Sequence, residues 1–196
     1  LDHTLSHVTP RETLLVIPAG ESSSLDRVFS EETIEAIRSC VTRGMRLYAT
    51  CGSVYWLAKT RIWNDKCLVQ PECMDTIRKQ GRVNIFQGTA VGPLSPYPGQ
   101  TYNTAFFHEA AKLESGEKAI TILLSGGGSF FQDLESSLDQ KVATLATYSD
   151  EILDLHGKGR DWKRAVVSCD FGEGKAILSM VHPGYGSEDI DIEAYK

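Results

Sequence analysis

Apolar residues fall along this chain in short blocks separated by Gly, Pro and charged stretches, and the two sharpest blocks lie near its start. Residues 13–17 (Thr-Leu-Leu-Val-Ile) form a continuous β-prone run stopped by Pro18-Ala19-Gly20, the pattern of a buried strand in a parallel sheet. From Ser30 the period becomes helical: Ser30 can cap, Glu31 and Glu32 suit the first turn, Ile34, Ile37, Cys40 and Val41 share a face, and Gly44 ends it. Residues 45–50 read as a second strand, Cys51 as a corner and 52–59 as a helix. The first 60 residues thus predict β-α-β-α, with both strand ends feeding loops at the same sheet edge. Residues 1–12 are a polar lead-in.

Beyond residue 60 the pattern is less regular. Residues 60–81 predict irregular or partly helical chain, 83–86 a short strand, and 87–99, rich in Gly and Pro, a surface loop. A strand is predicted at 101–107, a turn or short helix at 108–113, and an apolar strand at 119–124 that ends in Ser125-Gly126-Gly127-Gly128. Residues 142–148 predict a strand and 149–160 a polar connection. The runs 165–171 and 175–181, separated by Gly172-Glu173-Gly174, predict a hairpin, and an acidic tail follows from Glu188.

Length and charge narrow the classes. At 196 residues the chain is expected to be one domain. A net charge of −6, with no Lys/Arg-rich run, speaks against nucleic acid as a partner. Every apolar run falls short of the roughly 20 residues of a membrane span, and no signal-peptide pattern opens the chain. The five cysteines (Cys40, Cys51, Cys67, Cys73 and Cys169) form an odd set without paired spacing. They favour neither a disulfide framework nor a zinc ribbon, and a reducing, cytoplasmic compartment is expected. No metal or organic cofactor is indicated.

Cys51 carries the candidate chemistry. A cysteine between a strand and a helix is held out of the backbone at a helix N-terminus, where free N–H groups and the helix dipole favour a thiolate. Ala49, Gly52 and Ser53 supply the small flanks that such a corner needs. Free cysteines are also common buried residues, and that simpler reading holds for Cys40 and Cys169. The best candidate base is His182, which ends the last strand before Pro183; His3, His7, His108 and His156 sit in weaker contexts. Three successive glycines after a strand can cradle an anion or simply form a tight turn, and no Gly-Lys-Ser/Thr follows them.

Taken together, Leu14-Leu15-Val16-Ile17-Pro18-Ala19-Gly20, Cys51-Gly52-Ser53-Val54-Tyr55, 86–93, Ser125-Gly126-Gly127-Gly128 and 171–178 with His182-Pro183 resemble the N-terminal domain family of biotin-protein ligases, within the class I glutamine amidotransferase-like superfamily. The resemblance implies a flavodoxin-like α/β fold: a three-layer sandwich with a mostly parallel central sheet and a C-terminal β-hairpin. It also implies that the family's first strand-helix unit would precede Leu1. It makes Cys51 the nucleophile, His182 the general base, the N–H groups of Gly20 and Gly52 the oxyanion hole, and Gln87, Gly88, Thr89 and Gly127 part of a substrate pocket. The substrate class would be a small molecule or amide, with room for a homo-oligomer or a partner synthase-type domain. Biotin-ligase activity does not transfer, since no Gly-Arg-rich adenylate loop is present.

Two departures bear on activity. The superfamily's Gly-x-Cys-x-Gly corner carries Ala49 and Ser53 here. Its active members read His-Pro-Glu, the glutamate orienting the histidine, whereas this chain has Gly184, with Glu188 or Asp189 as candidate substitutes. Three functions follow: thiol-dependent amide hydrolysis or transfer, a catalytically degenerate binding or regulatory domain, or a redox thiol sensor.

Overall fold

The computed structural model describes residues 5–20, 22–63, 79–92, 108–116, 118–125, 128–131, 140–149, 152–153, 159–160 and 163–184. A single 3-10 turn at Pro10–Glu12 leads into β1 (Leu14–Ile17). Two helices follow, α1 (Ser22–Val28) and α2 (Glu31–Thr42), then β2 (Arg46–Thr50), α3 (Gly52–Leu57) and β3 (Ala58–Trp63). The remaining strands are β4 (Lys79–Gln80), β5 (Phe86–Gly92), β6 (His108–Ser115), β7 (Lys118–Ser125), β8 (Ser129–Phe131), β9 (Val142–Tyr148), β10 (Ile152–Leu153), β11 (Gly159–Arg160), β12 (Arg164–Phe171) and β13 (Gly174–Ser179).

The fold is mixed α/β, and its main sheet has seven strands in the order β1-β2-β13-β12-β9-β6-β7. This sheet is mostly antiparallel, which corrects the expected mostly parallel arrangement. Only β1 with β2 and β2 with β13 run parallel; β13–β12, β12–β9, β9–β6 and β6–β7 are antiparallel. The reason is connection length. A helical crossover separates β1 from β2, but β12 turns into β13 within two residues, from Phe171 to Gly174, and β6 into β7 between Ser115 and Lys118. Such turns can only make antiparallel neighbours.

Ser30 caps α2 as the sequence predicts, its hydroxyl accepting from the Thr33 N–H at 3.2 Å, an interaction worth about 1 kcal/mol. The face of α2 bearing Ile34, Ile37, Cys40 and Val41 packs against Leu47, Ala49, Ala176 and Leu178 in the larger of two cores. Register explains the other sheet face: Val16 lies opposite Tyr48, and Tyr48 opposite Ile177. Leu14 and Val16 are 58% and 51% exposed there, so β1 is a half-exposed edge strand and not the fully buried one its composition predicts. Among the described residues no helix covers that face, which a three-layer sandwich would require.

A second, four-stranded sheet (β4-β3-β5-β8) was not foreseen. Residues 86–92, expected to run mainly as loop, are its buried strand β5, hydrogen-bonded between β3 and β8. Residues 108–113, expected as a turn or short helix, belong to β6; the helix expected over 52–59 ends at Leu57, and 58–63 form β3 where the end of that helix and irregular or partly helical chain are expected. The predicted strand at 101–107 lies outside the described residues. Gln140 clips the sheets together: its side-chain N–H groups donate to the carbonyls of Ile85 (2.6 Å) and Asp170 (2.9 Å), and its Oε1 accepts from the Gln87 N–H at 2.8 Å. The smaller core, with Ile62, Val91, Leu113, Ile122, Ala146, Tyr148, Ala165 and Val181, fills the space between them.

Candidate functional site

The three parallel strands set the site. Ile17 is paired with Ala49 and Leu178 with Ala49 from the other side, so Pro18-Ala19-Gly20, Cys51 and Val181-His182 all leave the sheet at the same carboxyl edge. Open α/β sheets place ligands at such an edge. Gly20, Cys51, Gly52 and His182 are therefore brought to one region from three adjacent strands.

Cys51 is the N-cap of α3, with φ 54° and ψ −130°. A non-glycine residue there is strained by roughly 1–3 kcal/mol and persists only when its surroundings fix it. They do. The Cys51 N–H donates to the Ser179 carbonyl at 2.7 Å, and the Cys51 carbonyl accepts from the Val54 N–H at 3.0 Å. Ser53, fully buried, donates its hydroxyl to the Pro18 carbonyl and so ties the corner to the end of β1. Ser53 thus adds a bond to the corner, and Ala49, also fully buried, meets the need for a small residue before it.

The electrostatics differ from the expected thiolate. Burial pushes the Cys51 thiol above its ordinary range, and the Gly52 N–H, which favours the thiolate, only partly offsets this. A helix of six residues presents little dipole, and removing the sulfur from water outweighs it. The resting group is a thiol, and a nucleophilic role requires a base.

His182 is half-buried, with its Nε2 out of contact with solvent, and lies three residues beyond Ser179. Just before it, the Ser179 hydroxyl donates to the Val181 carbonyl at 2.8 Å. Gly184 is exposed, and a Cβ built there would meet no atom within 4 Å. Glu188 and Asp189 lie outside the described residues, as does Gly127.

Of the predicted pocket residues, Gln87, Gly88 and Thr89 sit on β5 and not on a loop. Gln87 is engaged structurally, its Nε2 donating to the Asn84 carbonyl at 2.5 Å as its N–H meets Gln140. Sequence reasoning missed two tyrosines. Tyr148, buried on β9, donates to the Gly128 carbonyl at 2.8 Å, and lies close enough to Cys51 for a thiolate there to disfavour its ionisation. Tyr55 lies one helical turn after Cys51; a Cβ on Gly128 would stand 2.1 Å from its hydroxyl and 3.2 Å from Met180 Sδ. The backbone at Gly128 is thus pressed against α3 and the turn after β13. The only local signal was the Tyr55 spacing of four from Cys51; Tyr148 arrives from a distant strand.

Among the described residues no three His, Cys, Asp or Glu side chains converge to hold a metal ion, and no helix is long and apolar enough to cross a membrane. Among the described residues, Cys40, Cys51 and Cys169 form no disulfide.

These features define a mixed α/β domain with a strained cysteine at a strand-helix corner. The chain belongs to the family described as biotin-protein ligase, N terminal, whose model matches residues 8–195. No curated protein matches it significantly. Among solved structures it aligns loosely with a GH42 β-galactosidase, Gan42B, at 15% identity and a TM-score of 0.45, covering 91% of this chain and 20% of that one. Two cytoplasmic proteins from Salmonella typhimurium align at 10% and 13% identity, with TM-scores of 0.44 and 0.46. The first covers 95% of this chain and 71% of its own length, the second 89% and 63%. The chain spans about a fifth of the β-galactosidase, and alignments this loose carry no assignment of activity.

Proposed function

We propose that the domain is a class I glutamine amidotransferase-like protein that uses Cys51 for thiol-dependent hydrolysis or transfer at an amide carbonyl. The observation that carries this reading is the Cys51 backbone, at φ 54° and ψ −130° at the carboxyl end of a parallel strand, beside the strand that delivers His182. Strain of that kind is retained where the position of a side chain matters. In the reaction His182 takes the thiol proton, Sγ bonds to the carbonyl carbon, and the N–H groups of Gly20 and Gly52 receive the oxyanion. The C–N bond then breaks, the amine leaves with the proton from His182, and water or an acceptor amine releases the acyl group from the thioester. A thiol that burial keeps protonated needs such a base.

Iodoacetamide labelling tests the reading. Cys51 is expected to react at pH 7 well ahead of Cys40 and Cys169, and His182→Gln to slow it; equal rates at the three thiols would end the proposal.

A second reading is favoured by Gly184. A triad without its orienting carboxylate loses orders of magnitude in rate while keeping its fold. On this reading the domain binds a ligand at the same edge and turns it over slowly or not at all. Labelling that is fast at Cys51, without hydrolysis across a panel of primary amides, distinguishes it from the first.

A further inference from the structure

We infer that Ser179 is a positioning residue that couples the two members of the site, which extends the catalytic reading above and rests on it. Ser179 is 1% exposed and bonds through both its main chain and its hydroxyl. Its backbone carbonyl, at the last register pair of β13 with β2, accepts the Cys51 N–H at 2.7 Å. Its hydroxyl donates to the Val181 carbonyl at 2.8 Å and lies 3.4 Å from the Val181 N–H.

The second bond answers a local need. Beyond Ser179 the ladder to β2 ends, and the chain must turn through fully buried Met180 and Val181 before His182. The Met180 N–H finds the Ala165 carbonyl at 2.9 Å. The Val181 carbonyl takes its bond from the Ser179 hydroxyl. A buried carbonyl left unpaired is unfavourable, so the hydroxyl holds the peptide immediately before His182 in one orientation. One residue therefore fixes the corner that carries the thiol through its main chain, and the approach of the imidazole through its side chain. Removing the hydroxyl leaves the Cys51 bond in place and frees only the histidine side.

That asymmetry gives the test: iodoacetamide labelling of Cys51 at pH 7 in the full chain, with Ser179→Ala placed alone and on His182→Gln. The expected result is a roughly tenfold slower reaction for S179A, a comparable or greater loss for H182Q, and no further loss when the two are combined. Ser179→Thr, which keeps the hydroxyl, is expected to retain the rate and the isosteric Ser179→Val to lose it, a comparison that holds even if S179A does not fold. An S179A rate equal to the parent, or a loss that persists on the H182Q background, overturns the inference while the base assignment stands. H182Q labelling as fast as the parent removes the base assignment and this inference with it.

Discussion

The hydroxyl of Tyr148 is bonded to the carbonyl of Gly128 at 2.8 Å, and this bond fastens the backbone at Gly128 beside the Cys51 corner. Tyr148 is 2% exposed, so Tyr148→Phe leaves a buried carbonyl without that partner and is expected to destabilise the fold by about 1–3 kcal/mol. Urea titration measures it as a lower midpoint with an unchanged slope.

Alkaline pH should unfold the protein through buried groups. Burial pushes Cys169 from 9.0 up to about 12, with the Asp170 carboxylate adding to the shift, and it raises Cys51 and Tyr148 as well. Each is neutral in both states below its unfolded value, so its contribution is complete there. Above pH 9 the unfolded chain releases the cysteine protons while the native one holds them. Stability therefore falls as pH rises, by about 1.4 kcal/mol per pH unit for Cys169 alone. Cys169→Ala should flatten the slope of unfolding free energy between pH 9 and 11, whatever its packing cost; an unchanged slope would refute the assignment.

The parts of this architecture that local chemistry dictates were legible in the sequence. The Ser30 cap, the apolar face of α2, the strand at 142–148 and the 172–174 turn all depend on neighbours a few residues apart, and so does the Cys51 corner. What was not legible depends on partners far along the chain. Gln87-Gly88-Thr89 reads as loop because Gly is a poor strand former, yet β3 and β8 on either side make it a buried strand. The antiparallel majority of the large sheet follows from which hairpins dock beside β2, which no single segment encodes. Residues 22–28 drew no prediction, though Asp26 pairs with Arg61 at 2.6 Å and joins α1 to β3.

The hairpin turn between β12 and β13 is built into the α2–β2 corner, and glycine is required there for space. A Cβ at Gly174 would lie 2.2 Å from the Val41 carbonyl oxygen and 2.5 Å from that of Met45, both backbone atoms that cannot swing aside. Gly174→Ala is expected to cost about 1–3 kcal/mol or more. Gly184→Ala, which enters open space, should stay within about 0.5 kcal/mol. Comparable losses in thermal or urea unfolding would show that the turn is not held as tightly as the contacts imply.

Gly184 also allows a gain-of-function experiment. Since nothing stands within 4 Å of a Cβ at this position, Gly184→Glu should be tolerated and place a carboxylate two residues after His182. Iodoacetamide labelling of Cys51 at pH 7 is expected to quicken, on the order of tenfold if a carboxylate at this position improves the Cys51–His182 pair. The gain should vanish on a His182→Gln background. A gain that survives H182Q would mean the new charge acts on the thiol directly, and no gain would mean that another group already orients the ring.

The strain at Cys51 can be measured apart from any activity. At φ 54° and ψ −130° a side chain of any kind is disfavoured, while glycine adopts the conformation freely. Cys51→Ala removes the sulfur and keeps the strain; Cys51→Gly removes both. If the bonds from Ser179 and Ser53 hold the corner in solution, the glycine variant should be the more stable of the two by on the order of 1 kcal/mol, although glycine ordinarily weakens a folded chain relative to alanine. Chemical denaturation of the pair decides it. The usual order, alanine above glycine, would mean that the corner relaxes out of the left-handed region and that Cys51 is not held at the sheet edge in the way a nucleophile must be.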